Sequence, residues 1–376
     1  MKRAMAWVMA LACALVLVAP KAQAQRPPET HPSSEHRDIV MSWDRSALPG
    51  DVELWAPKTV LAYSSVPPYR YAKSHLVCRS NADTGQGKCP TIGLANQDDA
   101  GAILVRLTEQ RSGQRTEIKA FGSGRRPATG PTCYSDYWST AVRPLWAIDE
   151  EKCGRDQAAG LGVQLALPTQ ELLKLVAGKW IAELVLDLRE APAGPALATY
   201  VFSLDFTVSD SSAVAIYLPE FDHATPSVDL NLRYNPFAHT VEGRKVLDMC
   251  LYDGLGSHST YLGVTVRDTG GRTPGPTGFS VWHDSGGSDE RRRLDYTLAL
   301  DHNGTSIALA NGVEQQLTGI DSARLRLVML PGMTLPVFCV PTPLTLTTPR
   351  FPSTSKEAGH YIGDLQVELR VPTATP

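Results

Sequence analysis

The residues of this chain that could do covalent chemistry are few, and their spacing argues against an active site. Ser353-Thr354-Ser355-Lys356 has the Ser-x-x-Lys spacing of a serine nucleophile and lysine base, but the companion Ser-Asp-Asn and Lys-Thr-Gly motifs are absent. His283-Asp284-Ser285 has triad residue types, but consecutive side chains diverge and are not expected to stack as a triad. The sequence has no His-Glu-x-x-His, Gly-x-Ser-x-Gly or phosphate loop. We therefore predict no catalytic residues.

The cysteines are more informative than these motifs, because their number predicts disulfides. Six cysteines follow the N-terminal leader, and an even number in an exported chain is typical of disulfides. Six cysteines allow 15 pairings, so the sequence alone does not fix the connectivity. A metal site is disfavoured because there is no Cys-x-x-Cys and no His at ligand spacing. Nearest-neighbour pairing gives Cys78–Cys89, Cys133–Cys153 and Cys250–Cys339.

The N-terminal segment predicts that the protein is exported. Lys2 and Arg3 precede an apolar run that ends near Val18, and Ala22-Gln23-Ala24 is a small-x-small cleavage site. Residues 1–24 are therefore a predicted secretory signal peptide, and the run is shorter than the roughly 20 residues of a membrane span. Its removal leaves 33 basic and 39 acidic residues, a net charge of −6. This balance argues against nucleic acid as the main partner.

The composition predicts many short strands joined by turns. Gly 30 and Pro 28 in 376 residues are high for a helical protein. The stretch from Gln25 to Trp43 is rich in Pro, Ser and charge and predicts a flexible lead-in. Pro168 to Leu175 predicts one short helix, because Pro is favoured at a helix start. Apolar alternation predicts strands at 59–63, 102–107, 162–167, 180–188, 199–208 and 294–300.

A polar break, Ser209 to Ser212, divides the chain. We predict a first domain over 25–209, a linker over 210–212 and a second domain over 213–376. Asn303-Gly304 predicts a tight hairpin, and the chain ends on a strand that alternates from Tyr361 to Val371. The predicted fold is all-β, with two tandem sandwich-like domains.

Several motifs follow one another in a specific order along the chain. The first half contains Cys78, Cys89-Pro90, and Asp156 to Gly160 after Cys153. The second half contains Val228-Asp-Leu-Asn-Leu-Arg233, Asp248-Met-Cys-Leu-Tyr-Asp-Gly254 and Glu357-Ala-Gly-His-Tyr-Ile-Gly363. In this order the motifs make the chain resemble the tip subunits of class 5 (alternate chaperone–usher) fimbriae, a family that includes the minor tip proteins of colonisation-factor fimbriae and cable pili. The resemblance covers nearly all of the mature chain.

This resemblance implies an N-terminal adhesin domain and a C-terminal pilin domain, both immunoglobulin-like β-sandwiches. It also implies that the pilin domain lacks its last strand. The next subunit, a major pilin, donates an N-terminal extension that fills the groove, which is β-augmentation. A periplasmic chaperone and an outer-membrane usher are implied as further partners, and the fimbrial tip at the cell surface as the location. The alternative is a complete sandwich whose core the groove residues fill. We expect Val214, Ile216 and Leu218 on one groove wall and Tyr361, Leu365, Val367 and Leu369 on the other.

The family's colonisation-factor branch places a basic receptor site on the adhesin domain. The position five residues before the first cysteine is Lys73 here, where the branch has arginine. The strand after Trp180 ends on Leu188-Arg189-Glu190, where the branch has two arginines, so Arg189 remains. Lys73 and Arg189 are the receptor candidates, with a host glycan as ligand. Two alternatives stay open: a minor pilin that initiates assembly without a receptor, and a secreted β-sandwich carbohydrate-binding protein. No cofactor is expected.

Overall fold

The computed structural model describes residues 26–98, 100–131, 136–150 and 157–372. The predicted signal peptide, residues 1–24, and the predicted Cys133–Cys153 pair lie outside these ranges. Within them the chain is built mainly from β-strands. None of the helices in these ranges has the length and apolar character of a membrane span.

The first domain is one eight-stranded sheet, in the order β1-β8-β7-β4-β5-β6-β2, with β3 paired to β7. Every pairing is antiparallel except the parallel pair β1–β8. The helix predicted after Pro168 is a single turn, Thr169–Leu172. The strands are β1 (Glu35–Asp44), β2 (Val52–Tyr63), β3 (His75–Cys78), β4 (Gly101–Glu109), β5 (Arg115–Arg125), β6 (Gly160–Leu167), β7 (Gly178–Arg189) and β8 (Ala196–Ser209).

This sheet folds over on itself to enclose a core. Alternate residues of β4 are buried, which is the period-two pattern that its sequence predicts. Trp55 on β2 lies edge-on against Tyr200 and Phe202 on β8, with ring centroids 5.2 and 4.9 Å apart. Because β2 and β8 stand far apart in the strand order, these contacts make the domain a two-layered sandwich.

The N-terminal lead-in differs from its prediction. Residues 35–44 form β1, which pairs with β8 over ten residues, from Glu35–Tyr200 to Asp44–Ser209. The prediction of a flexible segment was therefore wrong for its second half. Ile39, Met41 and Trp43 alternate with Asp38 and Ser42, so one face of β1 packs on the core. The Pro-, Ser- and charge-rich composition obscured this alternation.

The second domain has three sheets. Their strand orders are β10-β11-β20-β15-β14-β21 with β16 on β15, then β18-β19-β12-β9, and β17-β13-β22. The strands are β9 (Ala215–Tyr217), β10 (Leu232–Asn235), β11 (Thr240–Leu247), β12 (Cys250–Tyr252), β13 (Tyr261–Asp268), β14 (Phe279–His283), β15 (Arg293–His302), β16 (Thr305–Leu309), β17 (Glu314–Thr318), β18 (Arg326–Val328), β19 (Val337–Pro341), β20 (Leu344–Pro352), β21 (Tyr361–Ile362) and β22 (Leu365–Arg370).

Tight turns and short 3-10 segments connect these strands. The predicted hairpin joins β15 to β16, and Asn303 and Gly304 both have positive φ, at 53° and 78°. That pair of left-handed residues is the geometry that makes Asn-Gly a hairpin turn. The 3-10 segments are Ser211–Ala213, Glu290–Arg292, Ile320–Ser322 and Ser353–Ser355.

Among the residues that the structure describes, two disulfides join strands to their surroundings. Cys78, at the end of β3, is bonded to Cys89. Cys250 on β12 is bonded to Cys339 on the neighbouring β19. Both sulfurs of the second bond lie in fully buried residues, so this bridge lies inside the core.

The two domains pack together over a shared apolar core. Ala177 before β7 belongs to the same buried cluster as Tyr252 and Val337 of the second domain. The N–H of Asp210 donates to the carbonyl of Gly254 at 2.7 Å. A Cβ on Gly256 would lie 2.5 Å from the carbonyl oxygen of Ala177, so only glycine allows this approach of the two backbones.

A buried carboxylate lies at the centre of this interface. Glu109, at the end of β4, is 3% exposed, and its Oε1 is 2.8 Å from Nε2 of His258 in the second domain. Its other oxygen accepts from the N–H and hydroxyl of Ser112, at 2.7 and 2.6 Å. Burial opposes the charged form, but these hydrogen bonds outweigh it and lower the pKa of Glu109 to about 2. Nearby, Arg111 donates to the carbonyls of Ile320 and Ala323 across the interface.

Candidate functional site

The main cleft of the second domain lies between two strands that each have one unpaired edge. β9 pairs only with β12, from Ala215–Tyr252 to Tyr217–Cys250. β22 pairs only with β13, as in Val367–Val266. Across the part of the chain that the structure describes, no strand pairs with the second edge of either. Both strands line the same cleft.

The cleft is apolar and open. Its floor is made by buried side chains of the large sheet, whereas its walls are half-buried. On β22, Leu365, Val367 and Leu369 are half-buried while Gln366 and Glu368 are exposed. The floor includes Leu247, Met249, Leu294, Tyr296, Leu344 and Leu346.

All seven residues that the sequence assigned to a groove line this cleft. They come from both walls and each is half-buried: Val214, Ile216, Leu218, Tyr361, Leu365, Val367 and Leu369. In a complete sandwich, alternate apolar residues of this kind are buried. Their partial exposure leaves an apolar stripe in contact with solvent.

Sequence reasoning missed part of the first wall. Phe221, Val228 and Leu230 also line the cleft and pack on the core of the second domain. The extended segment around Val228 and Leu230 has no strand pairing, although Asp229 and Asn231 alternate with them. That alternation was visible in the sequence and was the signal that could have assigned the segment to the cleft.

The size of the cleft selects the kind of ligand. Its volume is 1880 Å³, whereas pockets for small molecules measure roughly 300–1,000 Å³. An elongated apolar cleft flanked by two free strand edges fits an extended peptide, because such a peptide pairs its backbone with an edge and buries alternate side chains.

The segment from Glu357 to Tyr361, part of which lines the cleft, is fixed in position by contacts with its neighbours. The Tyr361 hydroxyl donates to the carbonyl of Glu357 at 2.7 Å, and burial raises the pKa of that hydroxyl. A Cβ on Gly359 would collide with the imidazole of His283, so glycine is required at this position. Glu357 pairs with Arg292 at 2.6 Å, which ties the segment to the start of β15.

The triad-like residues of β14 and the following turn do not form a proton relay. Contrary to the expectation that they diverge, both Ser285 Oγ and Asp284 Oδ1 face Nδ1 of His283, at 2.8 and 3.3 Å. A relay requires the hydroxyl and the carboxylate on opposite ring nitrogens. Nε2 of His283 instead lies 3.3 Å from the carbonyl of Ala358, so the histidine anchors the loop. No group of three or more His, Cys, Asp or Glu side chains in the described ranges is arranged to hold a metal.

The two receptor candidates lie at neighbouring strand ends of the first domain. Arg189 on β7 is opposite His75 on β3, and Lys73 is two residues earlier. Lys73 is exposed and pairs with Glu150 at 3.2 Å. The Arg189 Nε is buried and makes no hydrogen bond to any described residue. Burial lowers the pKa of His75, and the positive charge of nearby Arg189 lowers it further.

Acidic side chains offset much of the positive charge of this region. Glu150 pairs with Lys73, and Glu190, next to Arg189, pairs with Arg70 at 3.1 Å. Arg126 is buried in the same region and donates to the carbonyls of Ser74 and Ala147, so it is a structural residue. The surface is therefore only weakly basic.

Matches to protein-family models show which family the chain belongs to. The family model for the first domain of CfaE, a CFA/I fimbrial protein, matches residues 20–211, and the model for its second domain matches residues 214–373. The chain belongs to the CfaE family. The predicted resemblance to chaperone–usher tip subunits is thereby confirmed at the level of the family.

Relatives of this family share the whole architecture. The CFA/I fimbrial protein CfaE of Escherichia coli is 28% identical over 310 residues, which cover 79% of this chain and 80% of the relative. The crystal structure of CfaE, the adhesive subunit of the CFA/I fimbria of enterotoxigenic E. coli, aligns with a TM-score of 0.72 at 25% identity, over 93% of this chain and 95% of that chain. The structure of a chaperone–tip adhesin complex of CFA/I fimbriae aligns with a TM-score of 0.66 at 24% identity, over 93% and 99% of the two chains, and shows the shared fold. The predicted all-β fold of two tandem sandwich domains is confirmed.

Proposed function

We propose that this chain is the tip adhesin of a chaperone–usher fimbrium. Its second domain starts assembly by accepting a strand from the next subunit, and its first domain attaches the fibre to a host surface. It acts by binding and not by catalysis. Its membership of a family whose E. coli relative is an adhesive fimbrial protein supports this proposal.

One observation supports the assembly role above all: the cleft separates the free edges of β9 and β22. A single strand inserted there pairs with both edges and joins the sheets β17-β13-β22 and β18-β19-β12-β9 into one. The same strand covers the half-exposed side chains of both walls. We therefore infer that the second domain is a pilin fold that lacks its last strand, which is what the family resemblance implies.

The exposed apolar side chains of the cleft also account for the need for a chaperone. An apolar cleft between unpaired strand edges promotes aggregation when it is left open. A periplasmic chaperone that occupies the cleft prevents this, and a relative of this fold has been solved as a chaperone–tip adhesin complex. Passage through the periplasm and an outer-membrane usher to the fimbrial tip then delivers the chain to the cell surface, where a major pilin replaces the chaperone.

The assembly role is tested by measuring the affinity of the mature chain for a synthetic peptide. The peptide has the sequence of the N-terminal extension of the co-assembled major pilin. Val367→Asp places a carboxylate in the apolar cleft and is expected to weaken peptide binding at least about 100-fold. Gln316→Asp, which adds the same group to an exposed position of β17 outside the cleft, is the matched control and should bind as the wild type does. The measurement is fluorescence anisotropy of labelled peptide with the mature chain.

Val367→Thr extends this test, because it keeps the side-chain volume and adds one hydroxyl. It should give an intermediate loss of affinity with an unchanged far-UV circular dichroism spectrum. Equal binding by the wild type, Val367→Asp and Gln316→Asp would show that the peptide does not enter the cleft.

The adhesin role is tested at Lys73 and Arg189 in the mature chain. Lys73→Ala and Arg189→Ala are each expected to weaken attachment to host cells and to a glycan array about tenfold, the effect of removing a binding hot spot. Lys58→Ala is the control, because Lys58 is a comparably exposed lysine that pairs with Asp136 at 3.1 Å. Binding that survives both substitutions would place the receptor site elsewhere.

The assembly-initiator alternative keeps one specific observation in its favour. Glu150 and Glu190 neutralise much of the charge around Lys73 and Arg189. Absence of any attachment by folded wild-type chain, together with normal peptide binding in the cleft, would support a minor pilin that initiates the fibre without a receptor.

A further inference from the structure

The hairpin formed by β10 and β11 carries an exposed aromatic tip. All four residues of β10 are exposed, and the strand lies at the edge of the large sheet. Phe237, in the turn, is 96% exposed and Tyr234 is 54% exposed. Aromatic side chains in such a position are enriched in protein–protein interfaces.

The turn that presents Phe237 is rigidly built. The side-chain oxygen of Asn235 accepts from the N–H groups of Phe237 and Ala238, at 2.9 and 3.1 Å. The Tyr234 hydroxyl lies 2.8 Å from Nδ1 of His239, and the carbonyl of His239 accepts from the N–H of Ser353 at 2.9 Å. An aromatic side chain held out by a fixed turn loses little conformational entropy when a partner covers it.

The hairpin lies at the end of the second domain that faces away from the first domain. The pairing Thr240–Pro352 continues through Leu247–Leu344 to Leu251–Val340, so β11-β12 and β19-β20 form one long ribbon. Eleven residues separate Thr240 from Leu251, which corresponds to roughly 35 Å along a strand. Gly254, just beyond the far end of the ribbon, contacts Asp210 at the domain interface.

The cleft extends from the domain interface to the hairpin of β10 and β11. Arg45 of the first domain and Asp210 line it near the domain interface. Leu230 and Leu232 also line it, and Tyr234 shares a strand face with Leu232 because side chains alternate. The apolar lining of the cleft therefore continues onto the hairpin.

We propose that this hairpin docks on the folded body of the subunit that donates its strand to the cleft. The inference rests on the proposed function. A donated N-terminal extension is continuous with its own folded domain, and the first domain of this chain occupies one end of the cleft. The donor's body therefore lies at the other end, where Phe237 and Tyr234 project, and burial of these two rings adds contacts that the extension alone does not make.

The test compares two probes: purified major pilin and the synthetic peptide of its N-terminal extension. Phe237→Ala, alone and with Tyr234→Ala, is expected to make the complex with the folded pilin dissociate about tenfold faster per ring removed. Peptide affinity should stay at the wild-type value, since the cleft is intact. Val313→Ala removes an exposed apolar side chain at a different turn and is the control.

Each other outcome overturns the inference in a defined way. Unchanged dissociation of the folded pilin would exclude the hairpin from the contact, and an equal loss with the peptide would place its effect in the cleft. Loss of chaperone binding alone, or loss of self-association in sedimentation, would identify a different occupant. Failure of the wild-type chain to bind the peptide would instead reject the proposed function itself.

Discussion

A chain that carries the donor extension fused after Pro376 through a flexible linker is expected to melt about 5 °C higher than the mature chain. Seven half-buried apolar side chains line the cleft, and covering each contributes roughly 1 kcal/mol, about half the value of full burial. Ordering the peptide backbone offsets part of this gain, and fusion reduces the entropic cost of association. A net gain of about 4 kcal/mol corresponds to roughly 5 °C for about 350 residues that unfold in one transition.

The measurement is differential scanning calorimetry of the fused and unfused chains. The control fusion carries the same peptide with its alternate apolar residues replaced by aspartate, so linker and length are unchanged. It should melt with the unfused chain. An equal rise for both fusions would attribute the effect to the added sequence and not to filling of the cleft.

Replacement of Glu109 by alanine is expected to cost about 3 kcal/mol and to uncouple the two domains. The substitution leaves His258 and the N–H and hydroxyl of Ser112 without their acceptor in a buried interface, and stranded donors of this kind carry a desolvation penalty. We expect one unfolding transition in the wild type and two in the variant. Glu314→Gln, which removes an exposed ion pair with Arg370, is the control and should leave the single transition intact.

The same carboxylate predicts a dependence on pH. Its pKa falls from 4.5 to about 2 on folding, so the unfolded chain binds the proton more tightly. The stabilisation, about 3 kcal/mol, is complete above pH 4.5 and is lost as the pH falls towards 2. Urea unfolding across this window should therefore show a steeper acid loss for the wild type than for Glu109→Gln. Parallel curves would mean that Glu109 is not the group responsible.

Much of the fold was predictable because alternation and turn chemistry are local. The strands β4, β7 and β15 and the Asn303-Gly304 turn follow from such patterns, and the fold class follows from their number. The terminal strand β22 was equally clear, because Leu365, Val367 and Leu369 alternate with charged and polar residues.

What the sequence could not supply depends on contacts between distant residues. β1 was missed because the Pro-, Ser- and charge-rich composition obscured its alternation and because its partner, β8, lies far along the chain, with Glu35 opposite Tyr200. Glu109 and His258 are 149 residues apart, so neither residue indicated a buried interdomain pair. The unpaired edges of β9 and β22 likewise become visible only when the sheets are assembled.

Hydrogen–deuterium exchange of the mature chain, with and without the synthetic donor peptide, tests insertion of a donated strand most directly. We expect the peptide to slow amide exchange in β9, residues 215–217, and in β22, residues 365–370, because a strand that joins both edges engages their free backbone groups. Exchange in β15, inside the large sheet, should not change. Binding of the peptide without protection of β9 and β22 would contradict strand insertion between these two edges.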